Sequence, residues 1–178
     1  MVGSGRDPGV IRLKLLGAVD ARGADGQVIT ALLAQPRRLA LLAFLAIESV
    51  DGACPRERLL ALFWPDHPPA QASANLRQAL AFLRRVLGDE LIASVGRHAL
   101  RVDGSRLHCD AAEAGATGEL LQGLHLDGVG EAWEDWLAAQ RQRLSAAPAE
   151  SAEPVGVAAR AAYQRGLFHW SRRPRESA

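Results

Sequence analysis

The stretch SANLRQALAFLRRVL, residues 73–87 and closed by Gly88, decides how the rest of the chain is read. At about 100° per residue, Leu76, Leu80, Leu83 and Leu87 fall on one side of a helix, flanked by Ala79 and Val86. The opposite side carries Arg77, Gln78, Ala81, Arg84 and Arg85. One face suits a core; the other presents guanidinium forks and an amide around one small residue. Guanidiniums pair bidentately with phosphates and with the O6/N7 edge of guanine, and a side-chain amide suits adenine. A helix that reads DNA has this composition. So do many solvated amphipathic helices, so the neighbouring elements must decide.

Upstream, residues 55–64 read as a helix with Leu59, Leu62 and Phe63 inward, joined to the stretch by the rigid turn PDHPP at 65–69. Before it, Pro36 sits where a first helical turn tolerates it, and residues 37–49 follow with Leu39, Leu42, Leu45 and Ala46 as the buried stripe. Residues 11–16 (IRLKLL) alternate apolar and basic, the period of a half-buried strand. Strands are also predicted at 18–22 and 27–33, with Ala24-Asp25-Gly26 as the hairpin turn between them. Downstream, residues 91–95 and 98–102 flank Gly96-Arg97 as a second hairpin. The predicted class is therefore α+β: an N-terminal antiparallel sheet, three helices and a hairpin. That is the order of a winged helix-turn-helix, in which the third helix enters the major groove and the hairpin tip touches backbone or minor groove.

Composition agrees with a folded binding protein. The chain has 178 residues, 48% hydrophobic and 23% charged, with a net charge of only +1. Residues 1–107 hold fourteen Lys/Arg against ten Asp/Glu, and residues 108–178 hold seven against ten. A basic front and an acidic back suit nucleic-acid contact by the front alone. Cys54 and Cys109 form no CxxC pair, so neither a disulfide framework nor a zinc site is predicted, and a reducing cytoplasm is expected. The first nine residues lack the apolar core of a signal peptide. The longest uncharged apolar run, 39–47, is far short of the ~20 residues that span a bilayer.

Enzyme chemistry has little support. His98, His108 and His125 are scattered without metal-ligand spacing, and His108-Cys109-Asp110 lacks a second partner. The glycine-rich segment at 3–9 lacks the Lys-Ser/Thr of a phosphate loop. No enzyme activity, cofactor or metal is expected.

Beyond residue 107, residues 119–126 and 131–144 read as helices, the second with Trp133, Trp136, Leu137 and Leu144 on one face. Residues 145–154 read as a linker, 155–170 as a last helix, and 172–178 as disordered. Trp64, Trp133 and Trp136 are best explained as packing residues.

Residues 11–107 resemble the DNA-binding domain of transcriptional activators of the streptomycete antibiotic regulatory protein (SARP) type, an OmpR-like winged helix. The resemblance lies in LKLLG (13–17), QPRRLALLAFLA (35–46), PRERLLALFWPD (55–66), ASANLRQALAFLRRVLGD (72–89) and GRHALRVD (96–103). GELLQGL (118–124) and WEDWLAAQRQRL (133–144) are similar to the opening helices of the bacterial transcriptional activator domain, a helical unit like tetratricopeptide repeats. The resemblance implies a DNA-binding domain at 10–107 and a shortened activator domain at 108–170. It also implies side-by-side binding of copies on promoter direct repeats, and a turn at 66–69 that faces RNA polymerase or merely connects helices.

The candidate DNA contacts follow. Arg77, Gln78 and Arg84 would read bases, and Arg85 shares their face. Asn75, beside Ser73, would lie at a helix N-terminus whose free N–H groups suit a phosphate, or would cap that helix or belong to the turn. Arg37 and Arg38 begin a helix, where positive charge opposes the macrodipole and an external anion would relieve it. Arg97, at the hairpin tip, would hold a phosphate. Arg56 and Arg58 are expected to be solvated. The expected function is a cytoplasmic, sequence-specific, DNA-binding transcription regulator, an activator or a binding-only competitor. The alternative is a helical protein-interaction module whose winged helix no longer binds DNA.

Overall fold

Leucine, alanine and one phenylalanine fill residues 39–46, and helix α2 (Pro36–Glu48) buries all eight of them. The expected four-residue stripe is thus too narrow: α2 is enclosed all round, which is why it has no polar face in its middle. The computed structural model describes residues 9–49, 52–113 and 118–146. They form an α+β fold with two three-stranded sheets and one shared core, to which α2 contributes most.

In the first sheet, β1 (Ile11–Lys14) is central. It pairs antiparallel with β2 (Asp20–Arg22) on one side and parallel with β6 (Leu107–Cys109) on the other. The expected all-antiparallel N-terminal sheet is corrected in two ways. Its third strand comes from almost a hundred residues downstream. Residues 27–33, expected to be a strand, contribute one bridge between Val28 and Arg22 and then turn into the short helix α1 (Thr30–Leu33). Ile29, Leu32 and Leu33 recur at helical spacing, and Leu32 is fully buried. β1 ends at Lys14 because the Asp110 carboxylate accepts the next two backbone N–H groups, Leu15 at 2.7 Å and Leu16 at 3.1 Å.

The second sheet has the order β3 (Cys54–Pro55), β5 (Ala99–Val102), β4 (Ile92–Val95), antiparallel throughout. Helix α3 (Arg56–Phe63) leaves it directly, and α4 (Pro69–Leu87) follows. α4 starts four residues before the expected position. Pro68 is extended and Pro69 takes the first helical place, where the missing N–H costs nothing. β4 and β5 form the expected hairpin, turning at Gly96 with φ 59°.

Ser49 joins the two halves of the core. Its fully buried hydroxyl donates to Leu45 O at 2.6 Å and accepts the Val102 N–H at 3.1 Å. Ser49→Ala strands that buried N–H, so a loss of about 1–3 kcal/mol is expected in denaturant melts. A change below ~0.5 kcal/mol would contradict the role given to this bond.

Residues 119–126, expected to be helical, are extended and turning instead. Leu120 bridges Leu16, the Leu121 N–H donates to Leu15 O at 2.7 Å, and Leu121 itself has φ 53°. Gly118 has φ 138°, and a Cβ there would lie 3.0 Å from the Gly17 nitrogen. Helical spacing of apolar residues lost to a close backbone approach that only glycine permits.

Helix α5 (Glu131–Ala146) confirms the expected helix at 131–144 and packs on α3. Trp133 stacks on Phe63 at 5.0 Å, Trp136 on Phe44 at 4.8 Å, and the two indoles lie 5.1 Å apart. The Trp136 indole N–H donates to Glu48 Oε1 at 2.9 Å, and Glu48 Oε2 takes Arg58 at 2.7 Å. Arg58 is therefore paired rather than simply solvated. The tryptophans share one core with β1, α2 and α3, and the expected domain boundary between 107 and 108 falls inside β6. The helix expected at 155–170 and the tail at 172–178 lie outside the described residues, as do residues 1–8.

Candidate nucleic-acid interface

α4 is 19 residues long, about 28 Å, and contains no acidic residue. It buries Ala72, Leu76, Ala79, Leu80 and Leu83, while Arg77, Gln78, Ala81 and Arg85 stand exposed. The amphipathic split expected from the leucine spacing is the one observed. Among the described residues, none of Arg37, Arg38, Arg77, Arg84, Arg85 and Arg97 forms an ion pair with a carboxylate. Glu90, a ready partner for the arginines of α4, pairs with Arg106 instead.

Arg84 has a different setting from its neighbours. It is half-buried, and its Nε and one terminal nitrogen donate to Ile92 O at 3.1 and 3.0 Å. A further contact reaches Ser94 Oγ at 3.4 Å. Arg84 thereby ties the end of α4 to β4. Arg97 lies exposed at the hairpin tip, as expected. Arg101, on the exposed side of β5 opposite Ala93, is a further cation that the sequence reading passed over.

A cleft between the start of α2 and the first half of α4 is lined by Gln35, Arg37, Arg38, Trp64, Asn75, Gln78 and Ala79. Four of the candidate contacts therefore meet at one place. Arg38 sits over the Phe82 ring at 4.2 Å, and Arg85 approaches the same ring at 5.6 Å. Arg37 donates to the Asp127 carbonyl, which takes up one of its terminal nitrogens. The first turn of α2 contains no acid to offset Arg37 and Arg38. Asn75 is not at a helix end: with α4 beginning at Pro69, Ser73 and Asn75 both lie in its second turn, and neither caps it. Trp64 is buried against Phe63, as expected.

Both thiols and the Asp110 carboxylate are taken up by the fold. Burial pushes both the Cys54 and the Cys109 thiols up to about 11, which disfavours the nucleophilic thiolate. Asp110 is occupied by the backbone N–H groups of Leu15 and Leu16, just past β1. Among the described residues no group of three His, Cys, Asp or Glu is placed to hold a metal ion, and no helix is long and apolar enough to cross a membrane.

The residue most clearly missed from sequence is Arg56. It donates to Ser94 Oγ at 3.0 Å, across 38 residues of chain, so it is not simply solvated. Burial, and then the neighbouring Arg84 charge, lower its pKa. No local pattern announces such a contact; only the pairing of β3 with β5 creates it.

No protein-family model matches the chain. Over 107 residues it is 35% identical to the regulatory protein AfsR of Streptomyces griseus. The aligned stretch takes in 58% of this chain and 10% of that protein. The chain is thus similar, over a small part of the relative's length, to a regulatory protein.

Proposed function

We propose that this chain is a transcription regulator that binds duplex DNA in a sequence-specific way, with α2, α3, α4 and the β4–β5 hairpin acting as a winged helix-turn-helix. The observation that carries the reading is the acid-free outer face of α4, with Arg77, Gln78 and Arg85 exposed and a hairpin pinned beside its C-terminal end. A helix of about 10–12 Å diameter fits the ~12 Å major groove. Arg77 and Gln78 read base edges in this account, while Arg37, Arg38, Arg85 and Arg97 hold phosphates and set the register. Arg84, whose donors serve Ile92, sets the spacing between helix and hairpin. The likeness to a regulatory protein and the SARP-type motifs point the same way. No catalytic step is assigned to the chain, and cytoplasmic action on promoter direct repeats, by copies bound side by side, belongs to the same proposal. Activation through RNA polymerase at the turn 66–69 is a further part of it.

Arg97→Ala tests the assignment of the hairpin. Loss of one phosphate contact lowers the slope of log affinity against log salt by about 0.9, equally on every duplex bound. An unchanged slope would remove the hairpin tip from the interface.

A further inference from the structure

Two guanidiniums meet at one hydroxyl where α4 abuts the hairpin. Arg56 reaches Ser94 Oγ at 3.0 Å and Arg84 reaches it at 3.4 Å. Like charges so close repel, and among the described residues no carboxylate pairs with either. Arg56 Nε is buried with no hydrogen-bond partner among the described residues. Ser94 itself is exposed, so the space in front of the pair is open to solvent. A neutral hydroxyl leaves both charges uncompensated, whereas a tetrahedral anion would accept from the terminal nitrogens of both guanidiniums at once.

We propose that Arg56, Arg84 and Ser94 form a phosphate clamp that takes a backbone phosphodiester of duplex DNA at the junction of α4 and the β4–β5 hairpin. This rests on the DNA-binding reading above and adds a contact to it. Arg84 lies about 20° from Arg77 around α4, so the clamp continues the exposed face of the helix toward the hairpin. The clamp lies between α4 and the hairpin, the two elements assigned to DNA above. The Ile92 carbonyl, held by Arg84 on the free edge of β4, keeps that guanidinium in place before any anion arrives.

The full chain is melted in sodium phosphate and in sodium chloride at equal ionic strength and pH, alongside Arg56→Gln and Ser94→Glu. Wild type gains ~2–4 °C in Tm once inorganic phosphate reaches ~5 times its dissociation constant. Arg56→Gln shows no phosphate-specific gain, and its salt slope on duplex DNA falls by about 0.9. Ser94→Glu supplies its own carboxylate to the pair: it melts higher than wild type in chloride, ignores phosphate and binds DNA with a lower slope. An equal phosphate response in folded Arg56→Gln, or an unchanged salt slope, overturns the clamp. A Ser94→Glu protein that melts lower than wild type does so too, because it makes the hydroxyl a mere staple. Should wild type bind no duplex at all, the regulator reading fails and the DNA clamp with it. The melts then report separately whether the arginine pair holds an anion.

Discussion

Trp133→Ala is expected to lower stability by about 3–5 kcal/mol, a large share of the roughly 5–15 kcal/mol that a typical domain possesses. The indole is fully buried, stacked between Phe63 of α3 and Trp136, so its loss opens a cavity that rigid neighbours cannot fill. Thermal melts should show a fall of at least ~6 °C. The variant also tests how the chain is divided. If α5 were an independent unit, the loss would melt α5 alone and leave the rest unaltered. In the structure Trp136 is bonded to Glu48 of α2, and Arg141 donates to Leu120 O at 2.9 Å beside β1. One cooperative transition, shifted as a whole, is therefore expected. A separate low-temperature transition, or a change below ~1 kcal/mol, would contradict this packing.

Arg77→Ala is expected to weaken binding to the preferred duplex by ~1–3 kcal/mol, roughly 5- to 150-fold, and to relax preference at one base position. The fold should not suffer. Arg77 is exposed, and among the described residues its side chain makes one hydrogen bond, a long one of 3.4 Å to Ser73 O one turn earlier. Equal losses on preferred and scrambled duplexes would move Arg77 from base reading to phosphate contact. Arg84→Ala should behave differently, since it frees the Ile92 carbonyl and loosens the hairpin.

What was legible in the sequence was what is local. The leucine spacing of α4 and the Gly96 turn each depend on a few neighbouring residues, and both stand as read. Helix α5 and the burial of its tryptophans were legible for the same reason. Two misreadings are local, the start of α4 at Pro69 and the short helix α1 where a strand was expected; the others involve distant partners. Nothing near Ile11 indicates that β6 will lie beside it, or that Asp110 will end that strand. Residues 119–126 have apolar spacing suited to a helix, yet the approach of Gly118 to Gly17 requires an extended path. The candidate site divides in the same way. Arg77, Gln78 and Arg85 follow from helical periodicity alone. The convergence of Arg37, Arg38, Asn75 and Gln78 on one cleft, and of Arg56 and Arg84 on Ser94, depends on how helices and hairpin pack.

The central claim is that the outer face of α4 reads duplex DNA. Selection of bound fragments from random duplexes by the full chain, followed by titration of the enriched sequence against its scrambled form, tests it most directly. The account predicts an enriched motif bound ~10³-fold or more tighter than the scrambled duplex, with affinity falling steeply as salt rises. The absence of any bound fragment at low salt, or equal affinity for both duplexes, would contradict it.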